Sequence, residues 1–270
     1  MPHLVNEHAR IVSNSCVGPR LHVLVLESPE IARRIKPGQF IHIKIPGRGE
    51  NILRRPFSVY SSNKEAGTID VLYQEVGSLT TYMPTLDTGS MEVIGPIGAT
   101  WSGVQRFEEG IATHALLVGG GVGSAPLFML AESLKKHGCP VDVVLGAQTR
   151  DALVARERYE DLLGSEPCCA TDDGSYGRAG FCTSLVEERL NDGSLADGVP
   201  YDYLAVCGPE PLMKIVASMA HRAQVPCEVS LEKRMACGIG ACLSCVVDTK
   251  AGKRRSCVDG PIFDAEEVVW

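Results

Sequence analysis

Residues 115–136 read ALLVGGGVGSAPLFMLAESLKK. Four apolar residues precede a glycine-rich run at 119–124, and the helical pattern that follows, from Ala125 to Lys136, has Pro126 in its first turn. A buried strand, a glycine loop and a proline-started helix are the context that a dinucleotide-binding loop requires. Glycines in such a loop allow the phosphates to approach the backbone closely. The predicted nucleotide contacts are Gly119, Gly120, Gly121 and Gly123.

The chain on either side of this loop continues the same alternation. Apolar runs lie at Val141-Asp142-Val143-Val144-Leu145 and Tyr203-Leu204-Ala205-Val206, and a helical pattern extends from Pro211 to Arg222. Short apolar strands that alternate with helices predict a parallel sheet with crossover helices. We expect this α/β domain to span residues 105–225.

The first hundred residues have a different pattern of apolar and turn residues. Alternating runs such as Leu21–Leu26 and Phe40–Ile45 are separated by turn pairs such as Pro37-Gly38 and Gly95-Pro96. This pattern predicts short antiparallel strands without a long helix. We therefore expect residues 1–104 to form a small β-barrel, and the fold class to be a multidomain α+β protein.

A cysteine-rich segment follows at 235–257, MACGIGACLSCVVDTKAGKRRSC. Its CxxxxCxxC pattern has the spacing of the first three ligands in plant-type ferredoxins, and a fourth cysteine follows twelve positions later. Glycines between the first two cysteines let the backbone fold around the sulfides, and a hairpin at 246–256 returns the fourth ligand. The segment at 226–270 predicts a small [2Fe-2S] domain with ligands Cys237, Cys242, Cys245 and Cys257.

Two other interpretations of the cysteines remain open. A structural zinc site usually has a CxxC pair at both ends, and here only Cys242 and Cys245 form one. Four unliganded thiols are the second alternative. Cys227 lies ten residues before the first predicted ligand, but its spacing does not fit.

Composition excludes several classes of function. The formal net charge of -7 argues against nucleic acid as the main partner, because phosphate binding needs a basic surface. No stretch approaches the ~20 apolar residues that span a bilayer, and the N-terminus lacks the apolar core of a secretory signal. Eleven cysteines, an odd count, favour metal or redox chemistry over disulfides. We expect a soluble cytoplasmic protein that does not bind a membrane.

A four-residue motif at 55–58 resembles the flavin-binding motif of the ferredoxin–NADP reductase superfamily. By this resemblance, Arg55 neutralises flavin or phosphate charge, Pro56 fixes the turn, Phe57 lies beside the ring and Ser58 hydrogen-bonds at the N5 edge.

Two further segments support FAD binding. Leu72, Tyr73 and Gln74 lie on the next predicted strand, and 77–80 leads into a short helix at which a pyrophosphate meets free amides. The superfamily usually has glycine before the threonine, where this chain has Leu79, which still offers a backbone amide. The predicted FAD contacts here are Leu72, Tyr73, Gln74, Gly77, Ser78, Leu79 and Thr80.

The turn Cys207-Gly208-Pro209-Glu210 is similar to a second superfamily hallmark, which lies beside the nicotinamide and flavin rings. The resemblance implies hydride exchange, with Cys207 and Ser58 as catalytic residues and Gly208 and Pro209 as cofactor contacts. A buried strand-end thiol is the alternative for Cys207. Arg150 follows the second strand, but Asp151 is beside it and no other basic residue lies within five positions, which favours NAD over NADP.

The order of these modules resembles the electron-transfer subunit of class B dihydroorotate dehydrogenase over essentially the whole chain. TDDGSYG at 171–177 and DGPIFDAEEVVW at 259–270 are similar to that family. The resemblance implies a partner subunit with FMN that oxidises dihydroorotate to orotate in pyrimidine biosynthesis, in a heterotetramer with two copies of each subunit. Electrons would pass from FMN through the cluster and FAD to NAD.

Three competing functions remain. A ferredoxin-dependent NADP transhydrogenase or a sulfide dehydrogenase has an electron-transfer subunit with the same cofactor sites. A non-enzymatic assembly module would hold zinc at the four cysteines. A self-contained oxidoreductase with a small acceptor would need its own acid or base, and the dispersed histidines provide no recognisable site.

Overall fold

Alternating apolar residues at the N-terminus fold into a curved antiparallel sheet, the half-barrel. The computed structural model describes residues 4–47 and 52–270, so residues 1–3 and 48–51 of the predicted barrel span lie outside it. The strand order is β4-β3-β7-β1-β2-β6-β5. The strands are β1 (Val5–Gly18), β2 (Leu21–Glu27), β3 (Phe40–Lys44), β4 (Arg55–Ser58), β5 (Ser61–Asn63), β6 (Thr68–Gln74) and β7 (Ser90–Ile97).

The two faces of β3 contact different parts of the molecule. Ile41 and Ile43 point into the half-barrel, where they are fully buried in its core. Side chains alternate along a strand, so Phe40 and His42 point outward. Both are nevertheless buried, which means that another part of the chain covers the outer face.

A second sheet holds the α/β domain, with the order β11-β10-β9-β8-β12-β13-β16. Neighbouring strands are parallel except for β16, which pairs antiparallel with β13. The predicted parallel sheet is confirmed. The strands are β8 (Ala115–Gly120), β9 (Val141–Ala147), β10 (Cys168–Thr171), β11 (Arg178–Ala179), β12 (Tyr203–Cys207), β13 (Cys227–Ser230) and β16 (Ile262–Asp264).

Helices cover both faces of this sheet, and those in the half-barrel are short. The predicted helix at 125–136 has those bounds, and the one predicted at 211–222 extends one residue further at each end. The glycine loop itself forms a 3₁₀ turn, Gly121–Ser124. The helices are α1 (Pro29–Arg34), α2 (Ser78–Tyr82), α3 (Gly103–Glu108), α4 (Ala125–Lys136), α5 (Arg156–Leu163), α6 (Thr183–Asp192) and α7 (Glu210–Ala223), with further 3₁₀ turns at Met83–Thr85 and Arg150–Ala152.

The cysteine-rich segment is largely irregular apart from the predicted hairpin, β14 (Val246–Thr249) and β15 (Gly252–Arg255). The C-terminal tail ties it to the α/β domain. Strand β16 extends the second sheet, and the Lys250 N–H donates to the Glu267 carbonyl at 2.8 Å. Both β13 and β16 come from the segment after residue 225. The boundary predicted at 225/226 therefore does not coincide with the edge of the second sheet. The domain limits themselves stay predictions.

All three modules pack against one another. The indole N–H of Trp101 donates to the Pro126 carbonyl at 3.0 Å, which joins the half-barrel linker to α4. The guanidinium of Arg158 lies 4.3 Å from the centre of the Tyr60 ring and 3.1 Å from the Asp70 carboxylate, which joins α5 to the half-barrel. Across the described ranges, no helix has the length and apolar character needed to cross a membrane.

Candidate functional site

The four predicted cluster ligands lie together as two pairs of thiols. Cys237 lies close enough to Cys242 to lower the pKa of its thiol, and Cys245 lies close enough to Cys257 to raise the pKa of its thiol. Among the described residues, no group of three or more His, Cys, Asp or Glu side chains is placed to hold a single metal ion. Two thiols for each of two irons is the ligand arrangement of a four-cysteine [2Fe-2S] cluster. The donor set therefore fits that cluster.

The backbone of the cysteine loop supports the same use. Gly238 and Gly240 have φ angles of +70° and +83°, a region that glycine adopts without strain. The Ile239 amide points at the Cys237 sulfur, with an N to S distance of 3.4 Å. Amides that point at sulfur offset the negative charge of thiolates.

The two sides of the cysteine site differ in exposure. Cys242 is exposed, and hydrogen bonds from Ser244, followed by Cys237, lower the pKa of its thiol to about 6. Cys257 is buried, and burial, followed by the neighbouring Cys245, raises the pKa of its thiol to about 12. One edge of the site therefore faces solvent and the other faces the protein interior.

The buried side packs directly on the outer face of β3. Phe40 forms one apolar cluster with Cys245 and Cys257, with Ile94 packed against it. In the β3–β4 ladder, Phe40 is opposite Ser58 and His42 is opposite Pro56. Residues directly opposite in an antiparallel pair share a face of the sheet. The cysteine loop and the outward side chains of the flavin motif thus lie on the same face.

His42 lies between these two groups. Its side chain is fully buried, and neither ring nitrogen has a hydrogen-bond partner in the described structure. The Nδ1 edge abuts Gly238, where an added Cβ would come within 2.6 Å of Nδ1. Burial, followed by the charges of Arg54 and Arg55, lowers the pKa of His42 to about 4. A polar contact with the Arg54 backbone opposes this shift, but it lacks the geometry of a hydrogen bond. The ring is therefore neutral at pH 7. Sequence reasoning missed His42.

The predicted flavin motif forms β4, with all four residues half-buried. The Arg55 guanidinium donates to the Leu53 carbonyl at 2.9 Å. Phe57 meets Tyr73 edge to face, with ring centres 6.2 Å apart. The Tyr73 hydroxyl donates to Asn14 Oδ1 at 2.9 Å, and burial raises the pKa of this hydroxyl to about 12. Phe57 and Tyr73 therefore form a fixed aromatic pair beside β4.

The other predicted FAD contacts are spread over two environments. Leu72 is buried against the core of the α/β domain, whereas Gln74 is exposed. Gly77 and Ser78 are exposed at the start of α2, and the Gly77 amide donates to Thr80 Oγ1 at 3.0 Å. Leu79 stands where the superfamily usually has glycine. Its side chain is buried in the half-barrel core, so it does not cover the exposed start of α2.

The two predicted nucleotide motifs are in direct contact. A Cβ on Gly123 would lie 2.6 Å from the Cys207 carbonyl and from the Gly208 Cα, and a Cβ on Gly120 would lie 3.0 Å from Pro209. Only glycine allows the loop and the turn to approach this closely. A small pocket opens beside them, lined by Gly119, Gly121, Ser124, Leu145, Gly146, Ala152, Leu153, Val154 and Ala155.

Cys207 ends β12 beneath this contact. Complete burial, followed by the nearby charge of Glu232, raises the pKa of the Cys207 thiol far above its usual range, so the thiol stays neutral. Cys207 and Ser58 lie on different sheets, and no hydrogen bond joins these two described side chains. Their joint catalytic role stays a prediction.

Glu232 is a second residue that sequence reasoning missed. It lies two residues after β13, and its side chain reaches the surface, but enough protein surrounds the carboxyl for burial to raise its pKa. Its position just before the cysteine loop is the only signal of it in the sequence.

The turn at 171–177 lies against the Arg150 loop. The Arg150 amide donates to Ser175 Oγ at 2.8 Å, and Ser175 Oγ donates to Asp173 at 2.6 Å. The Arg150 guanidinium lies 5.6 Å from the centre of the Tyr176 ring. Arg150 is thus held beside an aromatic face and close to carboxylates.

Family models match three successive parts of the chain. The oxidoreductase FAD-binding domain matches residues 7–101, and the oxidoreductase NAD-binding domain matches residues 117–218. The iron–sulfur cluster binding domain of dihydroorotate dehydrogenase B matches residues 232–269. The chain therefore contains domains that bind FAD, NAD and an iron–sulfur cluster, which confirms the three predicted cofactors.

Relatives that match almost the whole chain show which family it belongs to. The electron transfer subunit of dihydroorotate dehydrogenase B (NAD(+)) from Bacillus caldolyticus is 34% identical over 267 residues, which cover 97% of this chain and 98% of the relative. The chain belongs to this family of electron transfer subunits. The Bacillus velezensis subunit is 36% identical, with 97% and 98% covered. The predicted family is confirmed.

Solved structures agree with the three-part fold. An NADH-dependent reduced ferredoxin-NADP oxidoreductase, solved to study flavin-based electron bifurcation, has a TM-score of 0.83 at 28% identity, covering 98% of this chain and 90% of that one. A Neisseria gonorrhoeae ferredoxin NADP+ reductase with bound FAD and NADP has a TM-score of 0.65 at 17% identity, with 83% and 92% covered. The fold prediction is confirmed.

Proposed function

We propose that this chain passes electrons from a dihydroorotate-oxidising partner subunit, which holds FMN, to NAD. The observation that carries the proposal is the packing of the cysteine loop on the β3–β4 face, which places Cys245 and Cys257 against Phe40, opposite Ser58. Bound FAD supplies a carrier that accepts single electrons and releases a hydride. The chain's own buried residues Phe40, Cys245 and Cys257 hold the predicted cluster site against the β3–β4 face that carries the flavin motif.

The exposed edge of the cysteine loop is the proposed docking surface for the partner. Cys242 is exposed there, and Ile239 and Leu243 expose 45% and 61% of their surface. Apolar side chains around an exposed ligand suit a protein contact that brings a second redox centre close. Two copies of each subunit are proposed from the family resemblance alone.

NAD is the proposed acceptor. The carboxyl ends of β9 and β10 carry the Arg150 loop and the pair Asp172 and Asp173, and open α/β sheets bind nucleotides at such ends. Asp173 is ionised at neutral pH, since hydrogen bonds from Ser175 lower its pKa. A 2′-phosphate would be repelled by these carboxylates, whereas the ribose hydroxyls of NAD would not.

The test replaces the exposed ligand Cys242 with serine in the complex with the partner. We expect Cys242→Ser to abolish reduction by dihydroorotate and to leave reduction of FAD by NADH largely intact. The matched control is Cys16→Ser, which changes an exposed cysteine on β1 that belongs to no predicted site. Loss of NADH-driven FAD reduction in a folded Cys242→Ser protein would contradict this order of carriers.

A related electron-transfer subunit linked to NADP is the second candidate. The observation in its favour is the TM-score of 0.83 to the ferredoxin-NADP oxidoreductase over 98% of this chain. Steady-state rates with NADH and NADPH, measured on the purified complex, separate the two candidates. A preference for NADPH would favour the second.

A further inference from the structure

A buried histidine, His42, has no hydrogen-bond partner within residues 4–47 and 52–270. His42 is fully buried, and neither Nδ1 nor Nε2 has a hydrogen-bond partner among the described residues. Buried polar groups in folded proteins are almost always hydrogen-bonded, so each exception needs an explanation. An apolar residue would fill this space without leaving polar atoms unsatisfied.

The surroundings of His42 point to the cysteine loop. The Nδ1 edge lies against Gly238, the residue that follows the predicted ligand Cys237, and only the missing Cβ at position 238 makes this approach possible. Ile94, opposite His42 on β7, packs against the cluster of Phe40, Cys245 and Cys257. The imidazole is therefore part of the wall between the half-barrel and the four cysteines.

The imidazole has an N–H donor in either protonation state. Arg55 begins β4 and Arg54 immediately precedes it, and both place positive charge near the ring. A neutral imidazole has one N–H donor and one acceptor nitrogen. Four thiolates and two sulfides around iron form a negatively charged group whose sulfurs accept hydrogen bonds.

We infer that the imidazole N–H of His42 donates a hydrogen bond to a sulfur of the bound iron–sulfur cluster and raises the reduction potential of that cluster. A donor stabilises the reduced form more than the oxidised form, because reduction adds negative charge to the sulfurs. His42 is thus a positioning and tuning residue on the flavin-facing side. The inference rests on the proposed function, which places a [2Fe-2S] cluster at these cysteines.

The first test is a redox titration monitored by electron paramagnetic resonance on the full-length protein with FAD bound. His42→Leu removes the donor at similar volume, and His42→Gln is the matched control that keeps an N–H donor. We expect His42→Leu to make cluster reduction about tenfold less favourable, ~59 mV for one electron. His42→Gln should stay closer to the wild type, and the FAD potential should not change.

The second test uses the wild-type protein and does not depend on the stability of a variant. In protein labelled with ¹⁵N-histidine, pulsed resonance spectra of the reduced cluster should contain a coupling to histidine nitrogen and to one proton that exchanges in D₂O. Absence of both couplings would overturn the inference, as would an unchanged cluster potential in iron-loaded His42→Leu or a shift in the FAD potential alone.

These results also separate this inference from the proposed function. A purified protein that contains zinc instead of iron overturns both. If the iron-loaded protein has FAD that NADH reduces, but the cluster potential is the same in the wild type and in His42→Leu, only the role of His42 is overturned.

Discussion

The contact between the glycine loop and the Cys207 turn allows one substitution to be worked out in detail. Gly123 is buried, and its φ lies outside the left-handed region, so alanine adopts the same backbone without strain. The added Cβ, however, would lie 2.6 Å from the Cys207 carbonyl carbon and oxygen and from the Gly208 Cα. Ordinary contact begins at 3.4 Å, and the atoms in the way are all backbone.

The size of the effect follows from this collision. Either the loop or the turn must move by several tenths of an ångström, and overpacking of this kind costs about 1–3 kcal/mol. The two segments are the proposed nicotinamide site, so most of this cost falls on NADH binding. Since 1.4 kcal/mol is about tenfold in affinity, Gly123→Ala should weaken NADH binding by roughly five- to a hundredfold.

Stopped-flow reduction of bound FAD at a series of NADH concentrations measures this loss. The FAD content of Gly123→Ala should stay unchanged, because the half-barrel is untouched. Gly110→Ala is the control: its φ of +69° makes alanine cost about 1 kcal/mol, but nothing lies within 4 Å of the new Cβ. A folded Gly123→Ala protein with wild-type NADH affinity would refute the assigned site.

Two further predictions concern the module interface and the exposed thiol of Cys242. Arg158→Met should lower the free energy of unfolding by about 1–2 kcal/mol in urea denaturation, because the partly exposed guanidinium stacks over Tyr60 at 4.3 Å and pairs with Asp70. In iron-free protein, the rate of Cys242 alkylation should rise with pH up to about 6 and level off above it, because the reactive thiolate then predominates. Mass spectrometry of the labelled peptides measures this rate, and Cys207 should stay unlabelled because it is buried.

Each of these has its own control. Arg10→Met removes an exposed pair with Glu27 and should change stability by less than about 0.5 kcal/mol, so equal effects at positions 10 and 158 would contradict the interface argument. An alkylation rate at Cys242 that still rises tenfold between pH 7 and pH 8 would show that its pKa is not lowered.

The local elements were predictable from the sequence because their signals are local, whereas the cluster ligand set stays a prediction that rests on local spacing. The spacing of the four cysteines, the strand, glycine loop and proline-started helix at 115–136, and the alternation in β3 depend on residues close together in the chain. The helix at 125–136 accordingly has the predicted bounds. A departure at one position, Leu79, could be recognised from the sequence, but its inward packing could not.

The arrangement of the modules was decided by the tertiary structure alone. The cysteine loop packs on the outer face of β3, β16 joins the nucleotide sheet, and the charge of Glu232 lies near Cys207. Each of these arrangements brings together residues that are far apart in the chain or depends on how two modules pack, and neither spacing nor periodicity encodes that. In the sequence, His42 therefore looks like an ordinary strand residue. Its packing against the loop at 237–245, together with the lack of a hydrogen-bond partner in the described part of the chain, makes its imidazole a candidate donor to the cluster.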